Sequence, residues 1–491
     1  MHQDGKSDDM AALAQGGRTN FFGFLLRLLA RLPFLFIAGQ LYGATALGRF
    51  AYATMIVELM AQLATLGLKR GLAAELAKAD RPESHVIGDG LVLAWLMALL
   101  GAGFLYLFPE LVFRDGKVSE LDRLFPLVAL FIVGSDVSLA ACAYKHRIGP
   151  QVAARSIVEP WVLTLVAAPL AFIPNWKPDG MVIAFTVSLG AAFLASIIPA
   201  IKAFGWPQGW RPHPVRLFTL ARANAPLAGA DAIDWAARRI DLLILGLFAD
   251  ARTLGIYWVA QQVASLPQKL KVTFDPILAP VVARGLMRGD HAAVASQIRQ
   301  VTYWVTAMQL GVALSLGLMG EAVMLLVGKE FGGGALILTF LLATEVFYSN
   351  AAVAEGALVY IARHRNLLWS IAVIGSQAAL SLILVPEMGG DGAALALALS
   401  ALMASVIKTR LLRGYLKAPV VGWRWAMVAA GIVGLTVGLI CQLLPDPYWE
   451  LIIGIPAILT SYGAVLWFWG FQPSDRLLFA RRRKQAQASD I

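Results

Sequence analysis

The stretch DWAARRIDLLILGLFADARTLGIY occupies residues 234–257 and sets four ionisable groups directly against an apolar run. Asp234, Arg238, Arg239 and Asp241 lead into LLILGLF, which reads as the second half of a bilayer-spanning helix. At the ~1.5 Å rise of an α-helix, Arg238 stands about 18 Å from the turn at Asp250, near the middle of a ~30 Å hydrocarbon core. A charge at that depth costs roughly 2.5–3.5 kcal/mol on insertion scales, so it faces a cavity or a partner. The reading of these residues therefore decides both the fold class and where function should be sought.

The surrounding composition agrees with a membrane chain. Of 491 residues, 58% are hydrophobic and only 15% charged, and the mean hydropathy is +0.68. A soluble domain carries about 25% charged residues. Apolar runs of bilayer length recur near 20–41, 48–68, 86–108, 124–144, 152–173, 181–203, 217–248, 254–283, 300–319, 334–360, 366–385, 390–408, 422–443 and 449–470. The expected fold is thus an all-α polytopic membrane protein of about fourteen spans.

Lys and Arg recur in alternate loops, at 69–81, 145–147, 202–216, 284–288, 363–365 and 408–417, while the loops between hold Arg114, Lys117 and Arg123, then single charges at Lys177, Arg252 and Lys329, then none. The positive-inside rule then places both termini in the cytoplasm, with a polar tail at 1–19 and a basic tail, including RRRK at 481–484, at 473–491. The polar N-terminus lacks a short apolar region and cleavage site, so no signal peptide is expected. A net charge of +10 would suit nucleic acid only on an exposed basic domain, and none is visible. Cys142 and Cys441 sit in apolar segments and provide no disulfide framework; the six histidines show no metal-ligand spacing. No GxxxxGK[ST] occurs, and the loops are too short for a catalytic domain, so neither ATP hydrolysis nor an enzyme is expected.

The chain also repeats itself. With a shift of 207, residues 30–53 fall on 237–260, matching at Ala30, Arg31, Leu35, Ile37, Gly39, Ala44, Leu47, Gly48 and Ala53. Lys145-His146-Arg147 and Arg363-His364-Arg365 close corresponding spans. Two six-helix halves in the same orientation are expected, at 20–205 and 206–415, followed by two additional helices within 416–472. Parallel repeats are a transporter signature, with the site between halves.

The repeat relates Arg31 to Arg238, and both fall near mid-bilayer. Arg27 and Arg31 share one face of the first helix, and that helix offers them no acidic partner. Asp231, Asp234, Arg238 and Asp241 form a single stripe on the seventh. Arg27, Arg31, Arg238, Arg239, Lys269 and Lys271 are the candidate substrate-binding residues, suited to a phosphate or carboxylate in a wet electropositive cavity. Glu58, Asp136, Asp234 and Asp241 are candidates for charge tuning or proton coupling. Plainer readings stand beside these: Asp234 and Asp241 neutralising Arg238 within the helix, Glu58 pairing with Arg31, Lys269 and Lys271 snorkelling, and Asp136 and Glu159 as buried hydrogen-bonded groups.

The stretch 238–267, RRIDLLILGLFADARTLGIYWVAQQVASLP, resembles the seventh-to-eighth helix hairpin of polysaccharide exporters and O-antigen flippases in the multidrug/oligosaccharidyl-lipid/polysaccharide (MOP) exporter superfamily. Residues 41–78 look like the matching N-terminal hairpin, and GEAVMLLVGKEF at 320–331 is similar to the segment after the ninth helix. The first turn, LYGATALG, departs from the usual Gly-Pro version. The resemblance covers roughly 20–415.

It implies flipping of a polyprenyl-diphosphate-linked oligosaccharide across a bacterial inner membrane by alternating access, for surface polysaccharide or lipopolysaccharide synthesis. Arg27, Arg31, Arg238 and Arg239 would hold the diphosphate or acidic sugars. It also implies membrane lipids, a polysaccharide polymerase and glycosyltransferases as candidate partners, no nucleic acid, and no cofactor beyond a coupling H⁺ or Na⁺. The rival expectations are a lipid II flippase, a cation-coupled drug exporter of the same superfamily and, from another class, a membrane polysaccharide polymerase or ligase.

Overall fold

The computed structural model describes residues 4–114, 116, 118–272, 282, 286 and 288–471, with side chains from Pro33 onward in those ranges apart from 234 and 269–272. Among the described residues there is no strand, and nine helices are long and apolar enough to cross a membrane. Two of the nine are broken by a glycine outside helical geometry, Gly43 with φ 82° and Gly389 with φ 56°. Three more helices fall outside that set: two carry the charged residues, and one has 17 residues.

Among the described residues fourteen long helical segments result, each overlapping a predicted span; the end of the predicted span 254–283 lies outside the described residues. They are α1 (4–42), α2 (44–64), α3 (Glu83–Leu107), α4 (Glu120–Tyr144), α5 (Gly149–Leu170), α6 (Gly180–Phe204), α7 (Pro214–Phe248) and α8 (Ala251–Val272). The rest are α9 (His291–Leu318), α10 (Ala335–Ile361), α11 (363–388), α12 (390–416), α13 (Trp425–Cys441) and α14 (Pro447–Gly470). Helices dominate because a spanning segment in lipid must satisfy its own backbone groups.

The chain packs as two compact units. The first holds residues 1–259 with 326–331 and 380–393. Within it α4 packs on α3 and α6, α5 on α6, and α2 on α7. Aromatic contacts run from Phe34 through Phe50 and Phe185, edge-on, to Phe125 and Phe113, tilted, with successive ring centroids 5.3–6.4 Å apart. Such geometry adds about 0.5–1.5 kcal/mol per pair beyond area burial.

At its other end α2 stops at Thr65, where Leu66 and Gly67 turn left-handed and launch a short helix, Leu68–Ala77. Gly67 and Gly71 lie against Asn224 and Leu227 of α7, leaving no room for a larger residue. The break throws Lys69 and Arg70 to opposite neighbours.

The second unit holds 260–325, 332–379 and 394–491. Its axis is α9, packed against α10, α13 and α14. The two C-terminal helices are tied to it by hydrogen bonds as well as apolar contact. Tyr462 donates to the Ala307 carbonyl at 2.7 Å, Tyr303 to that of Gly470 at 3.1 Å, and Gln442 to that of Leu318 at 2.6 Å. Trp423, Trp425 and Trp469 are exposed at one end of this pair, and Tyr448 and Trp449 at the other, as aromatic belts at two membrane interfaces would be.

Candidate functional site

The charged stretch lies in an unbroken helix. α7 runs through Asp231, Asp234, Arg238, Arg239 and Asp241 without interruption, so these positions lie within the second half of one helix. Arg238 is exposed. Arg239 turns to α2, where its Nη2 lies 3.9 Å from Glu58 Oε2, with side chains 33% and 41% accessible. That separation is at the limit of an ion pair, and a pair so open is worth about 0–1 kcal/mol. The guanidinium keeps most of its five donors available for an anion of better geometry.

Two acids of the stripe, Asp241 and Asp231, have partners on neighbouring elements. Asp241 is 1% exposed, and Tyr257 of α8 donates to its Oδ2 at 2.6 Å across the hairpin. Asp231 is 4% exposed and pairs through Oδ1 with Arg70 Nε at 2.9 Å, while its buried Oδ2 has no hydrogen-bond partner among the described residues. The stripe therefore joins α7 to α2, α8 and the short helix after α2, and leaves the paired arginines as its accessible part.

Asp136 belongs to a separate ion network. On α4 it receives Lys69 Nζ at 2.9 Å on one oxygen and Arg155 Nη2 at 2.6 Å on the other. Arg155 also reaches Glu159 at 2.9 Å, one turn along α5, and Lys69 donates to Gln62 at 2.6 Å. Arg155 sits in a π-helical stretch, Ala153–Val158, which widens the turn at the network. Two cations and two carboxylates balance, so this array joins α4, α5 and the short helix without leaving net charge for a ligand. Both Asp136 oxygens and Glu159 take part in ion pairs, with side chains 12% and 20% accessible.

The side chains of Arg27, Arg31, Asp234, Lys269 and Lys271 lie outside the described residues. The structure thus brings together Arg239, Glu58 and the α7 stripe, and sets Asp136 apart. Sequence reasoning missed Tyr257 and Arg70 as partners of the stripe, since nothing local links residues 16 and 161 positions from their acids. It also placed Lys408 in a cytoplasmic loop, and this is corrected. α12 continues to Leu416, and Lys408 is 3% exposed inside the helix, 3.0 Å from Glu355. The apolar count ended the span at the first cation, whereas the helix continues because that cation is neutralised internally.

The internal repeat has a direct structural counterpart within the first unit. A methyl group on Gly48 would overlap the Ala251 carbonyl oxygen, and one on Gly255 would overlap that of Ala44. The shift of 207 converts each of these contacts into the other. Reciprocal contact of this kind is what a two-fold relation produces at its axis.

Comparison with known proteins places this geometry. The sequence model of a family described as "Polysaccharide biosynthesis protein" matches residues 188–335. No curated protein sequence matches the chain. Among solved structures, the lipid II flippase MurJ in an inward closed conformation superposes with a TM-score of 0.71 at 15% identity, covering 91% of this chain and 96% of MurJ. An inward-facing multidrug resistance MATE family transporter of the MOP superfamily gives 0.65 at 13% identity, covering 80% and 94%. A MOP superfamily transporter from Pyrococcus furiosus, described as having a binding pocket of reverse polarity, gives 0.57 at 14%, covering 83% and 96%. These alignments span nearly the whole of each solved chain, and the protein has the polytopic fold of the MOP-superfamily flippases and transporters.

Proposed function

We propose that this protein is a flippase that moves a polyprenyl-diphosphate-linked oligosaccharide across a bacterial inner membrane by alternating access, for surface polysaccharide assembly. The observation that carries the reading is the accessible arginine pair in the second half of α7. Arg239 meets Glu58 at 3.9 Å, while the acids at Asp231 and Asp241 have closer partners. A diphosphate headgroup asks for two adjacent cations in a wet site, and a guanidinium binds phosphate through parallel charge-assisted hydrogen bonds. The family model at 188–335 covers this helix and supports polysaccharide over drug. Proton or Na⁺ coupling, cytoplasmic termini and an associated polymerase and glycosyltransferases belong to the same proposal.

A second reading is lipid II flipping, favoured by the superposition on MurJ. Both substrates share the diphosphate, so the arginine pair serves either. Expressed in a strain lacking its polysaccharide flippase, the chain restores surface polysaccharide. Arg238→Ala and Arg239→Ala each lower that output by about 10–100-fold, the loss expected for one charged hydrogen-bonding group worth ~1.5–3 kcal/mol. Both variants still insert at normal levels. Unchanged polysaccharide in both variants overturns the site, whereas rescue of a MurJ-depleted strain alone assigns lipid II.

A further inference from the structure

A buried ion pair in the second unit plays no part in the proposed substrate site. Lys408 of α12 is 3% exposed, yet its ammonium lies on Glu355 Oε2 of α10 at 3.0 Å. The same oxygen accepts the Tyr348 hydroxyl at 3.0 Å, and the ammonium stands 6.0 Å from the Tyr348 ring centre. The walls are apolar: Val353, Ala354, Ala357, Leu358 and Leu412 belong to one buried cluster there. Lys408 lies eight residues before the end of α12, about 12 Å along the helix. An ammonium in such a place has no water to fall back on, so the carboxylate holds it.

The two partners differ in access. Lys408 is enclosed, whereas the Glu355 side chain is 35% accessible. A carboxylate with one open face, a hydroxyl beside it and an aromatic ring nearby is a receptor for one small monovalent cation. In this conformation the chain itself supplies that cation. An ammonium is a compact point charge of the same sign and valence as an alkali ion, carried on a flexible four-carbon stem.

We propose that Glu355 and Tyr348 form a monovalent-cation site whose resident cation is the tethered Lys408 ammonium. When the ammonium is absent the site takes one alkali cation from solution. The proposal is independent of the substrate assigned above, because its test reads stability rather than transport.

The full-length protein is purified in detergent as wild type, Lys408→Met and the double variant Lys408→Met/Glu355→Gln. Thermal midpoints are then followed against NaCl, KCl and choline chloride at matched ionic strength. Wild type sets the baseline in each salt, and the site is read from what the variants add to it. Lys408→Met melts lower in choline and recovers by a few degrees, saturably, in Na⁺ or K⁺, because an ion that binds only the folded state stabilises by mass action. The double variant, with no carboxylate to neutralise, shows no difference among the salts. An identical response of Lys408→Met to all three salts overturns the proposal. So does a Lys408→Met protein that folds in none of them while the double variant folds, and so does recovery on acidification without any alkali response.

Discussion

At the scale of single residues, the membrane charges divide by what they touch. Arg238 and Arg239 are neighbours in sequence, and the 207-residue shift favoured Arg238 through its counterpart Arg31. The structure adds that Arg239 is the one meeting α2, through Glu58 at 3.9 Å. That contact was not legible, because Glu58 lies 181 positions away and only the packing of α2 on α7 joins them. Asp241, set beside Arg238 on its own helix by the sequence, also reaches the next helix, where its Oδ2 accepts the Tyr257 hydroxyl. Removing that hydroxyl deprives a carboxylate that is 1% exposed of a 2.6 Å donor. Tyr257→Phe is expected to destabilise the protein by about 1–3 kcal/mol, the cost of a lost buried donor. Adding Asp241→Asn recovers most of the loss, since a neutral amide is cheaper to bury. Melting curves of the purified single and double variants check this; a Tyr257→Phe midpoint equal to wild type refutes it.

At the scale of elements, the fourteen segments were legible from apolar length, and their ends were less so. Hydropathy counts side chains, whereas a helix stops where its backbone is turned or capped. α1 and α2 show the difference. No polar gap separates them, yet Gly43 at φ 82° breaks the helix in the left-handed region that glycine adopts without strain. The new N-terminus is capped from a distance: Glu330 Oε2 accepts the Ala44 amide at 2.8 Å. A carboxylate there also complements the positive end of the α2 dipole. GEAVMLLVGKEF was noticed in the sequence only for its resemblance, and the place of its last residues, 326–331, in the first unit gives Glu330 a physical role. Glu330→Ala is expected to cost about 1 kcal/mol, as the loss of a helix cap does. Glu330→Gln, which keeps the acceptor and loses the charge, costs less. Thermal midpoints of the two variants rank them, and equal losses refute the cap.

At the scale of the whole molecule, the repeat was the most informative feature of the sequence, because identities at one fixed shift report a relation that no local pattern contains. Its clearest physical trace is the crossing of α2 and α8 inside the first unit. Gly48 meets the Ala251 carbonyl, and Gly255 meets that of Ala44. Small residues allow helix backbones to approach this closely in lipid, where dispersion and weak backbone contacts replace the hydrophobic drive. The crossing also explains why glycine recurs at these two positions, since any side chain at either one pushes the same two helices apart. A test follows from the reciprocity. Gly48→Val and Gly255→Val should each destabilise by at least the ~1–3 kcal/mol of an overpacked contact, and by similar amounts. The double variant should lose less than the sum of the two, because the first substitution already opens the crossing that the second would strain. Midpoints of the three variants, measured alongside membrane insertion levels, decide it. Tolerance of valine at one glycine with collapse at the other would mean that the two contacts are not equivalent, and that the 207-residue shift is a similarity of sequence without a matching symmetry of packing.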